Sequence, residues 1–341
     1  MRTPTAARWV PAILAVLLCA AVLSALSVGS VVISPGEALA RCWGAIWGRT
    51  AGDTVDRILL GSRLPRLLVA ASCGAALALA GLAAQALFRN PLASPYVVGV
   101  SGGAAVGAVA AMLLVGRCTG VPYASLPAFS IAGGLGVTWV VFSLGRRGGS
   151  FGHSLLLAGI AIGAICSSLT AGALYLAGER LQTLVFWLMG GFWRASWRDV
   201  LLMLPVATAT LIGLVVLAPA MNVALVGERS AHDLGVNVPR LQAVLLGLID
   251  VGTAVAVSIA GVIGFVGLVV PHLLRLAVGG DHRRLVPLTA AGGALLLVTA
   301  DTLGRTLAAP TEVPVGILTS LVGAPVFLWL LLRRGSGRAE A

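Results

Sequence analysis

Long apolar runs recur along the whole chain, and they constrain its fold more than any other feature. Nearly every run is about 18 residues or longer, which is the length that an α-helix needs to cross the hydrocarbon core of a bilayer. Backbone polar groups in lipid must bond one another, so such a run forms a helix. The strands of a membrane barrel would instead alternate in polarity over about 10 residues, and no such alternation occurs. The sequence therefore predicts an all-α polytopic membrane protein.

The balance of residue types supports this class. Hydrophobic residues make up 58% of the chain and charged residues 10%, whereas about a quarter of a soluble protein is charged. We predict one transmembrane domain over residues 1–341, with helices outside the bilayer at 34–48 and 180–193, where tryptophans suit an interface. The sequence favours about ten spans, at 9–28, 63–87, 96–115, 122–143, 153–177, 199–218, 241–261, 263–278, 285–308 and 314–332.

The basic residues indicate the orientation. All 23 are arginines, because the chain has no lysine. An even number of spans places both termini on one side, and assigning that side to the cytoplasm puts more than half of the arginines there. The net charge of +11 then reflects topology and does not indicate nucleic-acid binding. The run after Arg8 could be a cleaved signal peptide, but its length of about 20 residues favours a retained first helix.

A polar segment separates the second and third predicted spans. The second span opens with Arg63 and Arg66, one helical turn apart, and it is followed by Arg89-Asn90-Pro91-Leu92-Ala93-Ser94-Pro95. The two prolines exclude a continuous helix here. We call residues 89–95 the elbow.

A second polar segment interrupts the second half of the chain. Pro219 to Arg240 contains the sequence GERSAHDLG at 227–235. Glu228 heads a predicted helical turn, Ala231 and Leu234 are three residues apart on one face, and Gly235 can end the turn. The segment is either an amphipathic knob of this kind or an ordinary surface loop. We call residues 227–235 the coupling segment.

The two halves also share a short pattern. Leu64-Pro65-Arg66 leads to Ala80-Gly81, and Val238-Pro239-Arg240 leads to Ala260-Gly261. The predicted topology starts the first copy outside and the second inside. The pattern therefore predicts an inverted repeat, which is common in transporters.

These features, in this order, resemble the permease subunits of ATP-binding-cassette (ABC) importers for iron-siderophores, haem and cobalamin, the FecCD family. The likeness extends over residues 60–333 and includes further motifs of the second half: Gly261–Arg275, Gly280–Leu285, Asp301 with Arg305, Glu312–Gly316 and Gly323–Phe327.

The resemblance implies a type II importer permease in a bacterial cytoplasmic membrane, with both termini in the cytoplasm. It would translocate a ferric siderophore or related metal chelate by alternating access, with haem or cobalamin as alternative cargo. It implies as partners a second permease subunit, identical or paralogous, two cytoplasmic ABC ATPases and an extracytoplasmic binding protein. No cofactor and no metal site of its own are expected, since the metal arrives chelated.

The resemblance also assigns roles to particular residues. Arg63, Arg66 and Arg305 would dock the binding protein. Asn90, Pro91 and Leu92 would form a cytoplasmic gate. The ATPase would couple to Gly227, Glu228, Ala231, Leu234 and Gly235.

An ATPase or other enzyme, a metal-binding protein and a secondary transporter all fit these residues less well. A P-loop needs a lysine, so this chain is not itself a P-loop ATPase, and no catalytic constellation indicates an enzyme. His272, Asp281 and His282 could form a metal site, although capping and loop hydrogen bonds explain them better. A proton- or sodium-driven secondary transporter would need an intramembrane acid. Asp250 is the one clear candidate, but a structural hydrogen bond is favoured for it.

Overall fold

The protein is helical throughout the part that its computed structural model describes, residues 8–29, 31–117, 125–146 and 151–336. Seven helices there are long and apolar enough to cross a membrane, and three shorter apolar helices accompany them. This confirms the polytopic all-α prediction. The helices are α1 Val10–Ser27, α2 Pro35–Ile46, α3 Thr54–Ile58, α4 Leu64–Leu87, α5 Val100–Arg117, α6 Leu126–Gly145, α7 Phe151–Tyr175, α8 Leu181–Leu188, α9 Trp197–Ala224, α10 Glu228–Asp233, α11 Val238–Ala260, α12 Val266–Val278, α13 His282–Thr306 and α14 Val315–Ser336.

Helix α4 forms the centre of the bundle. Its most apolar stretch is 83% buried, and α9, α11, α12 and α13 pack around it. A Cβ atom added to Gly74 of α4 would overlap the carbonyl group of Gly293 on α13, and a Cβ atom added to Gly293 would overlap the carbonyl group of Gly74. The backbones of α4 and α13 therefore touch at this pair, as small residues allow in membrane helices.

The long helices define two faces of the bundle. Helix α4 starts beside Arg66 and ends before the elbow, while α13 runs the opposite way, from His282 to Thr306. We call the end with Arg63, Arg66 and Arg305 the Arg66 face, and the end with Arg89 and Asp281 the elbow face. Helix α11 begins at the elbow face with a proline near its start, as α4 does at the Arg66 face. The two motif copies thus begin on opposite faces, as an inverted repeat requires.

Two irregular segments interrupt the bundle inside its thickness. After Pro91 the chain turns back along α12, and Pro95–Val98 forms one 3₁₀ turn, so α5 begins only at Val100. The predicted span began at residue 96, and the difference arises because Pro95 and the left-handed Gly99 (φ 82°) prevent an α-helix there. The second segment, Gly261–Phe265, separates α11 from α12. Such backbone is tolerated at membrane depth only within protein or beside a water-filled cavity.

The helices predicted outside the bilayer are both present, with one revision. The side chains of Trp43 on α2 and of Trp47, which follows its last residue, are 65% and 66% exposed, as interface anchors should be. Helix α8 ends earlier than predicted because Gly190 adopts a left-handed φ of 73°. Trp187 on α8 is only 6% exposed, so it packs inside the bundle and is not an anchor.

Candidate functional site

A charged cluster lies at the Arg66 face. The Arg66 guanidinium donates to Asp301 at 2.8–3.1 Å and to Glu312 at 2.8–3.0 Å. The Asp301 side chain is 4% exposed and that of Glu312 is 35% exposed. Arg305 completes the cluster, with its Nε 3.5 Å from Asp301 Oδ2. The cluster ties the start of α4 to the end of α13 and to the segment that precedes α14.

Arg63 serves a different purpose on the same face. Its guanidinium donates to the backbone carbonyls of Leu26, Ser27 and Val31, where α1 ends and the next segment begins. Gly29 lies against this guanidinium, and a Cβ atom there would collide with it. Arg63 is 5% exposed. It therefore holds the end of α1 against α4.

The three arginines proposed for docking thus lie together, as the sequence predicts, but all of them have partners inside the chain. The Nη2 of Arg305 also donates to the Ala25 carbonyl at 3.1 Å. A docking protein would meet the exposed edge of this cluster, which is formed by the Glu312 carboxylate and the guanidinium nitrogens of Arg66 that donate to it. The docking role stays a prediction.

The elbow begins at the surface and continues into the interior. Asn90 is exposed, and its Oδ1 accepts a hydrogen bond from the Leu92 N–H at 3.0 Å. The Pro91 carbonyl lies 3.3 Å from His272 Nδ1 on α12. Deeper in the bundle, the Tyr96 hydroxyl donates to the Ile263 carbonyl. The predicted break in the helix is confirmed, and the role of Asn90, Pro91 and Leu92 as a gate stays a prediction.

A cavity of about 610 Å³ opens beside the elbow. Its wall includes Gly99 and Ser101 at the start of α5, and Gly163, Ser167 and Thr170 on α7. None of the described residues that line it is an Asp, Glu, His or Cys. Ser167 is exposed in the middle of a membrane helix. A hydroxyl there suits a subunit interface or an aqueous path better than lipid.

The coupling segment forms a short helix, as predicted, but its faces differ from the prediction. Gly227 and Gly235 bracket α10 with φ angles of 133° and 79°. Ala231 is completely buried and its carbonyl accepts from the Val236 N–H, whereas Leu234 is 69% exposed. Ala231 and Leu234 therefore do not present one exposed face. Helix α10 packs against α9 and α11 with Ala231 inside, while Leu234, the residue that caps its end, stays at the surface. Only the backbone position of Glu228, the first residue of α10, is described.

Sequence reasoning missed a polar cluster beside this segment. Asn222, in the last turn of α9, donates to Asp281 Oδ1 at 2.6 Å. Its own Oδ1 accepts from the backbone N–H of His282 at 2.9 Å and lies 2.8 Å from His282 Nδ1. Asp281 also caps α13 by accepting from the Arg283 N–H. The Asn222 amide and then this N–H hold the pKa of Asp281 below its ordinary value.

The same cluster contains Asp281 and His282, two of the three residues considered for a metal site. The predicted capping role is confirmed for Asp281, and the Nδ1 nitrogen of His282 is hydrogen-bonded to Asn222 Oδ1. The described residues contain no group of three or more His, Cys, Asp or Glu side chains that could hold a metal ion. Cys118 lies outside the described residues.

Asp250 lies inside the bundle on α11 and is 6% exposed. The Thr138 hydroxyl of α6 donates to Asp250 Oδ1 at 2.9 Å. This bond joins two helices, as the favoured structural role requires.

Comparison with known proteins agrees with this architecture. The sequence profile of the FecCD transport family matches residues 16–333. The hemin transport system permease protein HmuU of Yersinia pestis is 43% identical over 313 residues, which are 89% of this chain and 91% of that protein. The vitamin B12 import system permease protein BtuC of Escherichia coli is 41% identical over 323 residues, 94% of each chain.

A solved structure shares the fold over nearly the whole chain. It is an inward-facing conformation of a metal-chelate type ABC transporter, with a TM-score of 0.83 and 31% identity, and the match covers 95% of this chain and 99% of that one. The chain belongs to the FecCD transport family, the permeases of ABC importers.

Proposed function

We propose that this permease imports an intact metal chelate, a ferric siderophore in the first instance, across the bacterial cytoplasmic membrane. The observation that carries the proposal is the cavity beside the elbow. Its wall combines small and apolar residues with the hydroxyls of Ser101, Ser167 and Thr170, and its one phenol, Tyr96, donates to the Ile263 carbonyl. Such a wall can contact a bulky chelate without a carboxylate, imidazole or thiolate that would compete for the metal. Haem and cobalamin, which relatives are named for, are the competing cargoes.

The volume of the cavity is suitable for one half of a translocation path between two permease subunits. At about 610 Å³ it lies within the range of pockets that take a small organic ligand. A second permease copy, identical or paralogous, would supply a matching wall. Gly159 and Gly163 also belong to this wall, and small residues of this spacing allow two membrane helices to approach closely.

The remaining partners are assigned by the same proposal. Two ABC ATPases bind the elbow face, which then lies in the cytoplasm together with both chain termini, and Leu234 is the exposed apolar anchor for them. Asn90, Pro91 and Leu92 close the cytoplasmic end of the path. A binding protein docks on the opposite, Arg66 face.

Docking involves exchange of an ion pair. Of the two carboxylates that bind Arg66, Glu312 is the more exposed, with 35% of its side chain accessible against 4% for Asp301. An acidic residue of the binding protein can replace Glu312 on Arg66 while Asp301 keeps the guanidinium in place. Glu312→Gln should then strengthen docking by freeing one edge of Arg66, and Arg66→Glu should abolish it.

The cargo assignment is tested by narrowing the cavity. A side chain at Gly163 would meet nothing within 4 Å, although Gly163 lines the cavity. Gly163→Leu therefore places a bulky side chain in the path without a clash inside this chain, and leucine favours a helix more than glycine does. Assembly of the variant with the second permease is checked first, because Gly163 also belongs to the wall proposed to face that subunit. We expect uptake by the reconstituted complex to fall at least tenfold for its best substrate in a panel of ferric siderophores, haem and cobalamin.

Gly172→Leu is the matched control. Gly172 is on the same helix and also has open space around it, but it is not part of the cavity wall. It should leave uptake within about twofold of the unsubstituted complex, a change below 0.5 kcal/mol. Equal uptake by the two variants would refute the path, and preference for haem or cobalamin over every siderophore would correct the cargo.

A further inference from the structure

Helix α13 has a polar attachment at each end, and each attachment joins it to a different functional face. At the elbow face, Asn222 binds both Asp281 and His282 at the start of α13. At the Arg66 face, Asp301 near its end binds Arg66 and Arg305. Between them α13 is one helix of 25 residues, with Pro287 inside its first half.

Asn222 is placed to connect the coupling segment with this helix. It lies in the last turn of α9, five residues before Gly227. Its amide nitrogen must donate to the Asp281 carboxylate, so its oxygen is the acceptor, and His282 Nδ1 must carry the proton that it donates. One amide therefore makes three hydrogen bonds to the first two residues of the α13 end. His282 is completely buried, which fixes the position of the attachment.

The middle of α13 is held by backbone contact. Gly293 touches Gly74 of α4 too closely for a Cβ atom on either residue. Gly293 is 11 residues from His282 and 8 from Asp301, or about 17 Å and about 12 Å along the helix. The contact thus divides α13 into a longer arm toward the elbow face and a shorter arm toward the Arg66 face, and α4, the most buried of the described spans, is the support.

We propose that α13 is a lever that links the coupling segment to the Arg66 face, and that Asn222 is the positioning residue that attaches the segment to it. A displacement of α10 moves the end of α9. Through its hydrogen bonds, Asn222 passes this movement to Asp281 and His282 at the start of α13. Helix α13 then transmits the movement past Gly293 to Asp301. The reverse movement signals docking at the Arg66 face to the ATPases. This inference rests on the proposed function for its purpose, whereas the mechanical link belongs to the isolated chain.

The isolated chain provides the first test. Asn222→Ala removes all three bonds and leaves the covalent segment intact. Hydrogen exchange of the permease in lipid nanodiscs should become about threefold faster or more at backbone amides 303–313, at the far end of α13, because the loss of hydrogen bonds propagates as local opening. Asn237→Ala is the control, since Asn237 only caps α11 through the Arg240 N–H in the same region. It should affect exchange near residues 237–241 alone.

The assembled complex provides the second test. With its ATPase and binding protein, Asn222→Ala should lower the ratio of binding-protein-stimulated to basal ATP hydrolysis at least fivefold, while Asn237→Ala should keep the ratio within twofold. Unchanged exchange at 303–313 in Asn222→Ala, or equal ratios for both variants, would overturn the lever. A different outcome would separate the two proposals. If Asn222→Ala speeds exchange at 303–313 but the binding protein does not stimulate ATP hydrolysis by the unsubstituted complex, the proposed function is contradicted and the mechanical link stands.

Discussion

Replacing Asp301 with asparagine should cost far more stability than replacing its neighbour Glu312 with glutamine. Both carboxylates bind Arg66 at 2.8 Å, and both substitutions keep the shape while removing the charge. The two differ in solvent access, because the Asp301 side chain is 4% exposed and the Glu312 side chain 35%. Asp301 also faces Arg305 at 3.5 Å.

The magnitude follows from that difference. Loss of one member of a buried ion pair leaves its partner charged and without compensation, which costs about 3–5 kcal/mol. Asp301→Asn leaves two poorly exposed guanidinium groups together, and asparagine can still accept one hydrogen bond, so we expect about 3 kcal/mol. Glu312 is screened by solvent, and pairs of that kind contribute about 1 kcal/mol or less. A gap of about 2 kcal/mol is roughly a thirtyfold difference in the unfolding equilibrium.

The assay is reversible unfolding of the purified permease in mixed micelles of increasing denaturing-detergent content, with Glu312→Gln as the matched control. Adding Arg66→Gln to Asp301→Asn should recover at least 1 kcal/mol, since it removes a guanidinium that would otherwise face Arg305 with only the half-exposed Glu312 as its acidic partner. Equal costs for Asp301→Asn and Glu312→Gln, or no recovery in the double variant, would refute the assignment of Asp301 as the buried centre of the cluster.

The other predictions concern the elbow face and the bundle interior. Leu234→Asp should weaken ATPase binding at least tenfold, because a lost interface anchor costs about 2 kcal/mol. Arg229 is also exposed, and Arg229→Ser is the control in the same binding titration. Ala231→Arg should instead lower the unfolding temperature of the permease alone, since Ala231 has no exposed surface. Single cysteines at Leu92 in a Cys-free chain should cross-link between the two permeases in one nucleotide state only, and state-independent cross-linking would contradict the gate. Asp250→Asn should keep transport at a cost of about 1 kcal/mol in stability, whereas lost transport with normal ATP hydrolysis would indicate an ion-coupled path.

The sequence predicted the helices well because the bilayer imposes a length on each apolar run. The start of α4 at Leu64 and the break at the elbow both follow from local chemistry, namely a proline tolerated in the first helical turn and two prolines that cannot continue a helix. The depth of the elbow could not be predicted in this way. It depends on the contacts of Pro91 with His272 and of Tyr96 with Ile263, more than 160 residues apart in each case.

Side-chain partners were predictable only where they lie close in sequence. Asp281 was expected to cap, and it binds a backbone N–H two residues away. Arg63 was expected at the Arg66 face, where it lies, but its carbonyl partners belong to the end of α1. Asn222 gave no signal at all, because an asparagine near a helix end is common and its partners are about 60 residues away. The burial of Ala231 could not be predicted because it depends on how α10 packs against α9 and α11.

The most direct test of the central claim measures both halves of the cargo during uptake. Proteoliposomes containing the permease, its ATPase and its binding protein would be supplied with a ferric siderophore labelled separately on iron and on the organic ligand. We predict that both labels enter at a constant 1:1 ratio for a one-to-one chelate, that entry requires ATP hydrolysis, and that collapse of proton and sodium gradients leaves it unchanged. Entry of iron without its ligand, or uptake driven by an ion gradient without ATP, would contradict the account.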